Sequence, residues 1–149
     1  MKATEELTHT HDVVRKVLEI FTPANPRFQE SIKTLQRTVE AHAWLQDEIF
    51  IPALKGQPLI QINFLAELAQ EHKDLDQMIR QLLKTPPEQK KAVESFVLQI
   101  RTLIAAHVKK EQDALYPLAE QVLDTATLNK LRDEMERRKL EVREVIKTS

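Results

Sequence analysis

The chain contains five histidines, and four of them fall where a helix would turn them inward. Apolar residues spaced alternately three and four apart mark the buried stripe of a bundle helix. The first such stripe reads Leu7, His11, Val14, Leu18, Phe21. The second reads Phe28, Ile32, Leu35, Val39, His42, Gln46, Ile49, and the third Leu65, Leu68, His72, Leu75, Ile79, Leu82. The fourth reads Val93, Val97, Ile100, Ile104, His107, Glu111, Ala114. Each stripe carries one histidine, and two carry a polar residue four positions after it, Gln46 and Glu111. Charged side chains are almost never fully buried without a partner. A polar group buried unsatisfied costs about 2–7 kcal/mol. A metal ion supplies the missing partner, and inward-facing imidazoles and carboxylates are how bundles build metal sites. Positions i and i+4 share a helix face, so His107 and Glu111 can reach one ion or adjacent ions. A lone histidine on an apolar stripe is usually a satisfied core residue; one on each of four stripes points to a metal. His9 lies off the stripe and reads as solvent-exposed.

The elements that must position these residues are set off by clear punctuation. Breaks occur at Thr22-Pro23-Ala24-Asn25-Pro26, Lys55-Gly56-Gln57-Pro58, Thr85-Pro86-Pro87-Glu88 and Leu123-Asp124-Thr125-Ala126-Thr127. Between them, helical periodicity covers roughly 5–21, 26–55, 59–84, 87–122 and 127–147. Asn25 is expected to cap the second helix with Pro26 at its first position. Thr85 and Glu88 are expected to form a capping box for the fourth. Pro52 and Pro117 fall inside helical stretches, where each should kink or end its helix. Short connections between long helices predict an all-α fold: an up-down-up-down antiparallel four-helix bundle over about 5–122. An additional C-terminal helix follows at about 127–147, and the whole of 1–149 reads as one domain. Along that last helix Leu128, Leu131, Met135, Val142 and Val145 share a side. It either packs on the outside of the bundle or makes the contact of a homodimer.

Composition narrows the chemistry. The sequence has no cysteine, which excludes disulfides, thiolate catalysis and cysteine-held zinc or iron–sulfur clusters. Any metal must therefore be held by nitrogen and oxygen. The formal net charge is -1 with no basic stripe, so no nucleic-acid partner is expected. No apolar run approaches the length of a membrane span. The N-terminus lacks the apolar segment of a secretory signal, which makes the cytoplasm the default location.

The two halves of the chain resemble each other. Residues 40–52, Glu-Ala-His-Ala-Trp-Leu-Gln-Asp-Glu-Ile-Phe-Ile-Pro, align without gaps on 105–117, Ala-Ala-His-Val-Lys-Lys-Glu-Gln-Asp-Ala-Leu-Tyr-Pro. Thr10-His11-Asp12 likewise aligns on Glu71-His72-Lys73. A repeated helical hairpin that donates two histidines per copy makes a pseudo-symmetric site suited to two metals.

Taken in order, these residues resemble the hemerythrin-like, histidine/histidine/glutamate cation-binding family over roughly residues 5 to 120. The features that carry the resemblance are the isolated His11, His42 with its downstream Pro52, the Glu71-His72 pair, and His107 with Glu111 and Pro117. The resemblance implies a four-helix bundle holding a non-haem di-iron centre, with His11, His42, His72 and His107 as ligands and Glu111 bridging the irons. It departs at Gln46, where the family carries a bridging glutamate. A neutral amide is a weaker ligand and offsets no charge, so one metal and two both stay open, as does a role for neighbouring Asp47. A further histidine on the third helix is also missing. Nitrogen-rich sites accept other divalent metals, including zinc and nickel. The function implied is the binding or sensing of oxygen, nitric oxide, iron or redox state through a small diatomic ligand, rather than catalysis, and no catalytic residue is assigned. The alternatives are a di-iron oxidase or ferroxidase, whose sites want more carboxylates, and a metal-depleted regulatory bundle. Trp44 and Tyr116 are expected to serve packing.

Overall fold

The computed structural model describes the backbone of residues 2–148 and the side chains of residues 2–140. All regular structure among the described residues is helical. Helix α1 spans Ala3–Leu18, with acidic Glu5 and Glu6 in its first turn and Arg15 and Lys16 in its last. Both placements oppose the helix dipole favourably. Helix α2 (Phe28–Leu45) runs into a π-turn, π1 (Gln46–Phe50), and continues as the short α3 (Ile51–Leu54). After α4 (Ile62–Lys84), helix α5 (Lys90–Lys110) repeats the pattern with π2 (Glu111–Leu115) and α6 (Tyr116–Val122). Helix α7 covers Thr125–Thr148. The bundle is built by α1 packing on α2, α2 on α4 and α4 on α5.

Several sequence expectations are corrected at the helix ends. Helix α2 starts two residues later than expected, because Asn25 makes a turn instead of a cap. Its side-chain oxygen accepts from the Arg27 N–H at 2.8 Å and its carbonyl from the Phe28 N–H at 3.0 Å. Pro26 therefore lies outside the helix. Thr85 ends α4 rather than starting α5; its hydroxyl donates back to the Gln81 carbonyl at 2.8 Å. Nor do Pro52 and Pro117 end their helices. Proline has no N–H to give the carbonyl one turn back, and the helix answers by widening just ahead of it. The Ile51 N–H reaches back to Gln46 O and the Tyr116 N–H to Glu111 O, five residues each, which is the π-helical pattern. The widened turn takes up one extra residue, so the inward position after Glu111 falls on buried Leu115 and not on the expected Ala114.

The core consists of two apolar clusters. One gathers Leu7, Leu45, Ile49, Leu68 and Leu115, and the other Val14, Val39, Leu75, Ile100 and Ile104. Each large aliphatic side chain buried there stabilises the fold by about 1.5–3 kcal/mol. The four stripe histidines lie between the two clusters: His11 separates Leu7 from Val14, His42 separates Val39 from Leu45, and His72 separates Leu68 from Leu75. His107 lies between Ile104 and Leu115. The apolar walls thus hold a polar layer across the bundle.

Helix α7 packs on the outside, against α1 and π1. Leu128 and Met135 are buried there, Lys139 pairs with Glu6, and the Arg138 guanidinium sits 5.0 Å above the Trp44 ring. Val142 and Val145 lie outside the described side chains. No helix among the described residues is long and apolar enough to cross a membrane.

Candidate metal centre

All six candidate residues converge in the polar layer. His11, His42, His72 and His107 are each at most 5% exposed, and Gln46 and Glu111 are fully buried. Glu111 is the hub. Its Oε1 lies 2.9 Å from His11 Nε2, 3.1 Å from His42 Nε2 and 3.1 Å from His107 Nε2. Its Oε2 is 3.9 Å from His72 Nε2 and has no hydrogen-bond partner among the described residues. His72 Nε2 and His107 Nε2 are 2.9 Å apart. The ligand-capable atoms of His42, His72, His107 and Glu111 all lie within 4.8 Å of one another. Glu111 and Gln46 reach this layer because each opens a π-turn directly after its histidine helix.

Three of the four imidazoles are anchored through the opposite ring nitrogen. His72 Nδ1 sits 3.0 Å from Asp47 Oδ2, and His107 Nδ1 sits 2.7 Å from Glu71 Oε1. Glu71 is held in turn by Lys110 at 2.5 Å, which also pairs with Glu67 at 2.7 Å. His42 Nδ1 lies 2.5 Å from Thr10 Oγ1. The Thr10 hydroxyl donates to the Leu7 carbonyl at 2.7 Å, so it accepts from His42. Ionised carboxylates also only accept. All three Nδ1 atoms therefore carry a proton, which leaves the Nε2 atom of each ring as the one turned into the layer. The Nε2 atoms of His72 and His107 lie 2.9 Å apart, and His42 Nε2 lies 3.1 Å from the Glu111 carboxylate. Groups that close need a proton or a metal ion between them. Imidazoles whose outer N–H goes to a carboxylate or oxygen while Nε2 faces inward are the common arrangement of metal-ligating histidines. The donor set fits a metal ion.

Electrostatics agree with that reading. Burial alone would raise the Glu111 carboxyl, but the imidazoles of His107, His11 and His42 packed against it outweigh burial and hold it well below the ordinary carboxylate range. Glu111 is therefore an anion at neutral pH. Burial dominates at His42 and pulls its imidazole below the ordinary value, which keeps it neutral and able to ligate. At His107 burial is again the largest influence, yet Glu111 and Glu71 together raise it. A metal would displace the proton that those carboxylates attract.

Some partners in the layer escaped the sequence reading. Asp47, weighed as a replacement ligand for Gln46, instead supports His72 from behind. Thr10 drew no attention, although a hydroxyl beside a stripe histidine is well placed to reach the next helix. Tyr116 does more than pack: its hydroxyl donates to Gln46 Oε1 at 3.1 Å and lies 3.4 Å from His11 Nε2. Burial, reinforced by Glu111, pushes that phenol well above its ordinary range, so it stays protonated. Trp44 lies under Arg138, outside the layer. His9 is exposed, as its off-stripe position predicts.

No match was found among curated proteins or solved structures. The hemerythrin HHE cation-binding domain model matches residues 2–119 and again 63–148. The second match begins 61 residues after the first, the separation of His11 from His72, in keeping with a repeated hairpin. The buried histidine–glutamate layer could hold the cation that such a domain binds, and the chain belongs to the hemerythrin HHE cation-binding domain family.

Proposed function

We propose that this chain is a non-haem iron protein that binds or senses a small diatomic molecule, oxygen or nitric oxide, in the cytoplasm. In this reading residues 1–149 form one domain with an up-down-up-down bundle. His11, His42, His72, His107 and Glu111 ligate the metal, with Gln46 at the edge of the set. One observation carries the choice of ligand. A cavity of about 20 Å³ opens beside the histidines, walled by Val14, Val39, Leu75, Ile104 and Val108. A volume of about 10–15 Å³ suffices for one water-sized molecule, so only a very small guest fits. Apart from the four histidines its walls are aliphatic, which favours an apolar diatomic over water.

Bound ferrous iron would supply the electrons and the open coordination position that such a ligand needs. The residues do the rest. Asp47, Glu71 and Thr10 fix the imidazole rings and leave their Nε2 lone pairs inward. Glu111 supplies the compensating charge. The apolar walls exclude water. A groove of about 560 Å³ between α1 and α5, bordered by Arg15 and Arg101, shares Ile104 and Val108 with the cavity and offers the route in. A single buried carboxylate among four imidazoles also argues against ferroxidase-type chemistry, which relies on carboxylate-rich sites.

Anaerobic loading with ferrous iron, followed by metal analysis and visible spectra before and after exposure to oxygen or nitric oxide, tests the proposal. Bound iron with a ligand-dependent band supports it. Catalytic turnover of ferrous iron would favour an enzyme instead. Absence of bound metal would reject the iron reading.

A further inference from the structure

We infer that the centre fills unequally. One divalent ion is held tightly among His42, His72, His107 and Glu111, and a second, on the side of His11 and Gln46, is held far more weakly. The inference rests on the metal-centre reading above and adds its occupancy.

One end of the layer is preorganised. The donor atoms of His42, His72, His107 and Glu111 already lie within 4.8 Å of one another. Each of the three imidazoles is fixed by an outer partner: Thr10, Asp47 or Glu71. Carboxylate support orients a ligating ring and raises its basicity. Among the described residues nothing comparable stands behind His11, whose buried Nδ1 has no partner there.

The donor at the other end of the pseudo-repeat is poorer. Gln46 occupies the position equivalent to Glu111, but its Oε1 already accepts from Tyr116 and its buried Nε2 has no partner among the described residues. An amide oxygen so engaged is a poor donor, and its N–H₂ would repel a cation. Charge divides the two ends in the same way. Asp47 and Glu71 both stand behind the His72–His107 pair, whereas His11, Gln46 and Tyr116 bring no negative charge. A second dication would share the single charge of Glu111 in a layer sealed from water, where uncompensated charge is costly.

The test is anaerobic calorimetric titration of the full metal-free chain with ferrous ion, repeated with cobalt(II), whose visible bands report each binding step. The expected result is one tight equivalent and a second step weaker by roughly 10–100-fold, the range over which support around a ligand moves metal affinity. Gln46→Glu should tighten the second step at least roughly tenfold, and Asp47→Asn should weaken the first by about 10–100-fold. Circular dichroism establishes that each variant is folded. Two equal tight steps in the unaltered chain would overturn the inference while leaving the metal centre intact. So would a folded Gln46→Glu protein whose second step does not move. Failure of both metals to bind would overturn the metal-centre reading itself.

Discussion

The two halves of this bundle share a backbone pattern and differ at their most important positions. Both end a histidine helix in a π-turn, and both place a proline six residues into the segment that the turn opens. In the second hairpin the π-turn begins with Glu111, an anion contacted by three imidazoles. In the first it begins with Gln46, a neutral amide engaged by Tyr116. The backbone device is the same and the chemistry it presents is not. A π-turn aims a side chain into the layer, but the residue type decides whether that side chain balances a cation. The supporting partners follow the same division, with Asp47 and Glu71 behind His72 and His107 and no partner on His11 Nδ1.

Breaking the stronger side should have the largest effect. Glu111→Ala removes the only carboxylate inside the layer among the described residues, and metal affinity should fall more than about 100-fold, beyond what loss of an outer partner costs. Titration with ferrous ion measures it. Next come the outer supports. Glu71→Gln should weaken metal binding by about 10–100-fold, with Thr10→Val less harmful because it removes a neutral partner. Equal losses for the two would mean that outer charge does not distinguish the sides.

The metal-free protein offers a comparison by pH. Glu111 titrates well below the ordinary 4.5 in the fold, so it contributes stability above that value that is lost as the pH falls below about 4.5. Gln46 does not titrate and adds no such limb. Glu111→Gln should therefore flatten the acid side of a melting-temperature profile. The histidines oppose each other nearer neutrality. His42, lowered by burial, loses its contribution as the pH falls through 6.5. His107, raised by Glu111 and Glu71 against its burial, loses its contribution as the pH rises through its elevated value. The smallest effect on metal content is expected from Val108→Phe, which fills the cavity at about 1–3 kcal/mol of overpacking. It should slow nitric oxide uptake several-fold in stopped-flow measurements while the metal stays bound.

Much of this layer was legible in the chain. Spacings of three and four place His11, His42, His72, His107, Gln46 and Glu111 inward without any tertiary information, because helix geometry is local. The π-turns were not legible. Pro52 and Pro117 announce a disturbance, but whether the helix ends or widens depends on what the extra residue packs against. The caps at Asn25 and Thr85 misled for a related reason: both side chains make turn or back-bonding contacts that compete with capping. The outer partners were hidden most deeply. Asp47 meets His72 from a different helix, and only the packing of α2 on α4 brings them together. The placement of α7 was likewise open until its apolar side met α1 and π1.

The central claim is that the histidine layer is a metal centre, and the iron K-edge X-ray absorption of the ferrous-loaded protein tests it most directly. A shell dominated by imidazole nitrogen, with ring scattering that weakens in His107→Ala, is the expected result. An oxygen-only shell that is indifferent to His107→Ala would place the iron elsewhere and contradict it.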